Sequence, residues 1–131
     1  MEIDRKGQQI LTKAECLQLL GTVRSGRIAL SKRALPTIMP VMYRIDGATV
    51  TFGVSGGLLA AAAERGDVVC FEADFTSADE SELWSVVVVG KLRLIPGGHA
   101  AAEDASAKCR GRVASLPMTI VSGRATMSVS V

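Results

Sequence analysis

The stretch from Ala48 to Arg65 does most to limit what this chain can fold into. Val50, Phe52 and Val54 alternate with Thr49, Thr51 and Gly53, and the chain then runs through Ser55-Gly56-Gly57 into Leu58-Leu59 and an alanine-rich segment. A period of two that gives way to helix formers across two glycines reads as a strand feeding straight into a short helix, about Gly57 to Arg65. The start of a helix leaves backbone N–H groups without intrahelical partners, and these favour an anion in front of them. Ser55 is placed to cap that start, with the glycines relieving a tight turn. From its own residues the stretch therefore has two readings, a capped structural turn or the seat of a phosphate group.

Around it the chain is mostly strand. Residues 1–11 form a polar lead-in or short arm. Thr12-Lys13-Ala14-Glu15 matches a capping box, and Cys16, Leu19, Leu20 and Val23 follow at helical spacing, which predicts an amphipathic helix over 13–24. Arg27 to Ser31 is a short strand. Pro36 to Ile45 is a second, with both faces apolar (Ile38, Pro40, Met42 and Met39, Val41, Tyr43), the pattern of a strand buried on two sides. Pro40 removes one ladder donor, which points to an edge, a bulge or a neighbour other than a strand. Asp46-Gly47 signals a hairpin into the strand at 48–54. Val68 to Asp74 and Leu83 to Ile95 are further strands, the latter with Trp84, Val86, Val88, Leu92 and Leu94 on one face. Pro96-Gly97-Gly98 breaks the chain before an expected helix at 99–110, and residues 116–131 read as the last strand. Six strands joined largely by hairpins, with two or three short helices, predict a mainly β (α+β) fold, an antiparallel split β-barrel. Helices do not alternate with strands throughout, which disfavours a doubly wound parallel sheet.

Composition narrows the function classes. At 131 residues the chain makes one domain, and a formal charge of +2 without a basic run interleaved with aromatics gives no basis for nucleic-acid binding. The apolar runs are too short to span a bilayer and the N-terminus lacks a signal-peptide core, so a cytoplasmic location is expected, away from the membrane. Cys16, Cys70 and Cys109 are odd in number and lack metal-ligand spacing, so neither a disulfide framework nor a metal site is expected. His99 is the only histidine, and no side chain is singled out as catalytic.

The order of these pieces carries a resemblance. A capped helix leads to Ser25-Gly26-Arg27-Ile28-Ala29-Leu30, then Pro40-Val41-Met42-Tyr43-Arg44-Ile45-Asp46-Gly47, then the glycine turn and alanine helix. Val68-Val69-Cys70-Phe71-Glu72-Ala73-Asp74, Leu83-Trp84-Ser85-Val86-Val87-Val88-Val89-Gly90-Lys91 and Val121-Ser122-Gly123-Arg124 complete it. Over residues 12–95 and the last strand the chain resembles the split-barrel flavin-binding proteins related to pyridoxamine 5′-phosphate oxidase, in particular small actinobacterial-type members. The resemblance implies a homodimer that holds FMN, or in some branches 8-hydroxy-5-deazaflavin, at the subunit interface. It implies a flavin ring against Met39, Pro40, Val41 and Met42, a phosphate at Val54, Ser55, Gly57 and Leu58, and Trp84 and Ser85 near the cofactor.

Two positions depart from that pattern. Relatives commonly carry cations where this chain has Gly53 and Leu58. A charge-assisted hydrogen bond contributes about 1.5–3 kcal/mol, so losing two weakens phosphate binding by on the order of a hundredfold or more. Arg44, Lys91, Arg93 or a basic residue of a partner subunit are the candidates to replace them. The resemblance thus implies a flavin- or deazaflavin-dependent oxidoreductase acting on a small molecule, with the cofactor carrying the redox chemistry. The alternative is a degenerate member, a dimeric ligand-binding module with little or no flavin. Haem handling, known among split-barrel relatives, is a third class, for which His99 is the available imidazole.

Overall fold

The computed structural model describes residues 1–96 and 112–126. His99, Cys109, the expected helix at 99–110 and the end of the last strand at 127–131 lie outside the described residues. Within them the chain is mainly β with two helices. The elements run β1 (Glu2–Ile3), β2 (Gln9–Ile10), α1 (Lys13–Leu20), β3 (Ser25–Lys32), β4 (Leu35–Met42), β5 (Arg44–Asp46), β6 (Thr49–Gly53), α2 (Gly57–Arg65), β7 (Val68–Thr76), β8 (Leu83–Lys91), β9 (Arg93–Leu94), β10 (Val113–Pro117) and β11 (Ile120–Ala125). They form a seven-stranded sheet in the order β1-β2-β11-β8-β7-β3-β4 and a four-stranded sheet in the order β5-β6-β10-β9. Every described strand pair is antiparallel.

The expected strands are all present, and three of them are divided. Each break carries the chain from one sheet to the other: β4 to β5 at Tyr43, β8 to β9 at Leu92, and β10 to β11 at Met118 and Thr119. The corner residues Tyr43, Leu92 and Met118 are 5%, 0% and 1% exposed. Their backbone N–H groups leave the ladders and donate to Arg24 O (3.0 Å), Asp67 O (2.9 Å) and Ala48 O (2.9 Å). Strands that bend and change sheets in this way wrap two sheets around one core, the split-barrel arrangement. The core joins Ile28, Phe71, Val86 and Val88 of the larger sheet to Val50, Ala114 and Leu116 of the smaller.

Both described helices pack on the core, through Cys16, Leu19 and Leu20 of α1 and Leu59, Ala60, Ala62 and Ala63 of α2. At α1 the Thr12 hydroxyl accepts from Glu15 N and the Glu15 carboxylate accepts from Thr12 N, which completes the expected capping box. The helix ends at Leu20, earlier than expected, because Gly21 takes the C-cap position. Tyr43 holds that end: its hydroxyl donates to Leu20 O at 2.5 Å, and its ring meets Phe71 edge-on with centroids 5.0 Å apart. Residues 1–11 are built into the larger sheet as the β1–β2 hairpin, with β2 paired to β11.

β4 corrects the expectation of a strand buried on two sides. It pairs with β3 and forms one edge of its sheet, so Pro36, Ile38, Pro40 and Met42 stand open on the outer face. Met39 and Val41 are partly buried against the core. Pro40, opposite Arg27, sits on an edge strand as its missing donor requires.

Candidate functional site

Strand β6 delivers the start of α2. Val54 is buried and its N–H donates to Arg112 O at 3.0 Å, which fixes the end of the strand. Ser55 does not cap the helix, contrary to expectation: the N-cap is Gly56, with φ 110° and ψ −169°, and among the described residues no side chain bonds to this helix start. The reason is local. Gly56 and Gly57 (φ 74°) take left-handed conformations that push the first helical turn one residue beyond the reach of Ser55. A Cβ at either glycine would meet nothing within 4 Å, so both glycines border open space. Leu59, Ala60, Ala62 and Ala63 anchor the helix on the core.

A cleft of about 660 Å³ lies alongside this helix. Gly57, Leu58, Ala61 and Arg65 of α2 form one wall, and Ser31, Lys32 and Arg33 at the tip of the β3–β4 hairpin form the other. Leu58 is half-buried and packs against the core. Of the cations considered from sequence, Arg44, Lys91 and Arg93 do not line this cleft, whereas Lys32, Arg33 and Arg65 do. Lys32 and Arg33 were overlooked because only the tertiary pairing of β3 with β4 carries their turn to α2. Their one sequence signal is an adjacent basic pair between two strands.

The structure divides the sequence-selected residues into two groups. The α2 start and the tip of the β3–β4 hairpin form the first, and Met39, Pro40, Val41 and Met42, farther along β4, do not line their cleft. Trp84 and Ser85 lie on β8, separated from β4 by β7 and β3. Trp84 is 3% exposed in the core, with Phe75 and Ala125 as cross-strand neighbours. Ser85 faces the other way. It borders a second cavity of about 540 Å³ with Arg5, Lys6, Ser122 and Arg124. There Arg124 Nε meets Asp4 Oδ2 at 3.2 Å, which ties the β1–β2 hairpin to β11. Asp4 is held below its ordinary value chiefly by the Gln8 backbone N–H, helped by Lys6 N and Arg124.

Between the two groups, on the outer face of the larger sheet, Arg27 pairs with Glu72 and also reaches Asp74 at 3.0 Å. Partial burial, then the hydrogen bond and charge of Asp74, raise Glu72 from 4.5 to about 7 against the opposing pull of Arg27. Two carboxylates sharing one cation cannot both be fully compensated.

The comparisons agree with this architecture. A family model described as pyridoxamine 5′-phosphate oxidase matches residues 12–124. An uncharacterized protein of Mycobacterium tuberculosis, Rv0080, is 34% identical over 85 residues, which cover 61% of this chain and 56% of that protein. The chain thus spans little more than half of that relative. Among solved structures, an FAD binding protein from Mycobacterium smegmatis is 27% identical, with a TM-score of 0.69 over 90% of this chain and 97% of that one. An FAD-binding protein from Mesorhizobium loti shares the fold, with a TM-score of 0.75 at 21% identity over 91% and 98% of the two chains. The family match runs from the cap of α1 through the corner-turning strands and the glycine turn to Arg124, and the chain belongs to the pyridoxamine 5′-phosphate oxidase family.

Proposed function

We propose that this protein binds a flavin nucleotide and serves as a homodimeric oxidoreductase for a small organic substrate, in the cytoplasm. The observation that carries this reading is the pairing of an uncapped helix start and a basic cleft with an uncovered apolar edge strand. A flavin is a flat, largely apolar ring on an anionic tail, and these surfaces match its two ends. The 27% identity with the mycobacterial FAD binding protein supports the same ligand class.

In this reading the N–H groups at Gly57 and Leu58 hold phosphate, while Met39, Pro40, Val41 and Met42 lie against the ring and exclude water from it. The flavin, when bound, supplies hydride and electron transfer. The chain's part is orientation and shielding, so a site without a dedicated acid or base is sufficient. FMN, the expectation from sequence, has the ring and one phosphate that this arrangement needs.

The second copy has a surface to occupy. Ile38, Ala29, Cys70, Val89 and Ile120 follow one another in register across β4, β3, β7, β8 and β11, an apolar row on the outer face of the larger sheet. Ile38 and Ile120 at its ends are 69% and 64% exposed. β8 stands three strand spacings from β4, roughly 14 Å. Two such faces packed about a two-fold axis that runs along the strands, midway between β8 and β4, bring the Ser85 end of one protomer against the β4 edge of the other.

Gly53 and Leu58 favour the second reading, a dimeric binding module without flavin. The visible absorption spectrum of the purified protein, followed by fluorescence titrations with FMN, FAD and 8-hydroxy-5-deazaflavin, separates the two. A yellow protein or saturable quenching is expected. Absence of binding by all three at high concentration sinks the flavin reading and leaves the binding module. Light scattering reports the dimer independently.

A further inference from the structure

The cleft beside α2 carries more positive charge than its ion pairs neutralise. Arg65 is held by Asp67 at 2.8 Å, and Glu64, the other carboxylate at this end of α2, is held by Arg112 at 2.7 Å. Lys32 and Arg33 remain: among the described residues neither side chain forms an ion pair or hydrogen bond. The cleft therefore holds two uncompensated cations across from the side of α2, whose first turn, Gly57 and Leu58, lines it.

The turn that presents them is strained. Lys32 pairs with Leu35, and the linking residues Arg33 and Ala34 have φ of 52° and 63°. Two-residue hairpins with both linkers at positive φ favour Asn-Gly, which takes this conformation at little cost. An Arg-Ala linker keeps the cation at the expense of an easier turn, and strain of this kind clusters at ligand clamps.

We propose that Lys32 and Arg33 are the phosphate-binding cations of this chain, supplied from the β3–β4 hairpin tip in place of side chains that Gly53 and Leu58 lack. This deepens the flavin reading by naming the groups that grip the anionic end of the ligand. The helix N–H groups meet the phosphate from one wall and the two cations close on it from the other. Discrimination between phosphorylated and unphosphorylated flavin then resides in a turn that sequence order places far from the glycine motif.

The test compares FMN with riboflavin, which shares the ring and lacks the phosphate. Lys32→Gln/Arg33→Asn removes both charges while giving the turn an easier residue at position 33, so folding is preserved. FMN affinity is expected to fall by on the order of tenfold per cation removed, with riboflavin affinity unchanged. The salt dependence of FMN binding should flatten, and Lys32→Arg should retain it. An equal loss for both flavins, or none for either, overturns the proposal. A parallel titration with inorganic pyrophosphate, followed by the amide resonances of Gly56 and Gly57, does not depend on flavin. Shifts in the parent chain that vanish in the double variant support the pair, even if no flavin binds and the cofactor reading falls. Equal shifts in both proteins, or none in either, overturn it.

Discussion

Tyr43→Phe removes one oxygen from the corner between β4 and β5, and its consequences are calculable. The hydroxyl donates to Leu20 O at 2.5 Å in a site where Tyr43 is 5% exposed. Its loss leaves one of the last carbonyls of α1 without that partner, which costs about 1–3 kcal/mol. Urea denaturation at neutral pH should show that destabilisation with an unchanged slope. The pH dependence gives a sharper signature. Burial raises the Tyr43 phenol from 10.0 to about 12. Folding favours the neutral phenol, so the associated stability is fully present below pH 10 and is lost as pH rises through about 12. The displacement corresponds to about 3 kcal/mol, comparable to the hydrogen-bond loss. Phenylalanine does not ionise, so the parent's advantage should shrink steadily above pH 10. Because the chain has one tyrosine, phenolate absorbance of the folded protein reports this group alone. A phenolate titration midpoint near 10 in the folded state, with equal stability of the two proteins at neutral pH, refutes the argument.

Three further substitutions probe the site and its frame. Leu58→Lys adds a cation at the α2 start and should tighten FMN by about tenfold in a fluorescence titration; an unchanged constant means that phosphate does not sit there. Glu72→Gln should remove a decline in stability with pH: the raised carboxyl contributes fully below pH 4.5 and its contribution is lost as pH rises through about 7. Chemical denaturation from acid to alkaline pH should therefore show the variant gaining on the parent across that interval, and parallel curves would exclude it. Ala34→Gly relieves a φ of 63° and should stabilise the protein by about 0.5–1 kcal/mol, the strain released less the entropy of glycine in the unfolded chain. A destabilised variant in urea melts would show that the turn is not left-handed.

How much of this fold is legible in the sequence depends on where the determining contact lies. Met39, Val41, Tyr43 and Ile45 keep one alternation across the corner at Tyr43, as Val88, Leu92 and Leu94 do across the corner at Leu92, so each pair of strands reads as one. Nothing local announces a change of sheet when the inward phase is unbroken. At Met118 the phase does shift, from Ala114, Leu116 and Met118 to Ala125 and the tightly packed Gly123, but residues that small do not register as a face. The β1–β2 hairpin is hidden for another reason. Its strands are two residues long, too short for any period, and they are held by long-range pairing with β11 and by Arg124 on Asp4.

The candidate site divides along the same line. The glycine turn is local, so its place was legible, although the true N-cap is Gly56 and not Ser55 because the conformations of the two glycines are set by the fold. The cations are not local. Position 58 and positions 32 and 33 belong to different elements, and only the pairing of β3 with β4, the latter an edge strand of the larger sheet, brings Lys32 and Arg33 to the wall opposite Leu58. An apparent loss of charge at one position of a motif is therefore weak evidence of lost binding when a hairpin tip faces it. The site's charge is a property of the cleft, and a change on one wall can be offset from the other without leaving a trace in the motif.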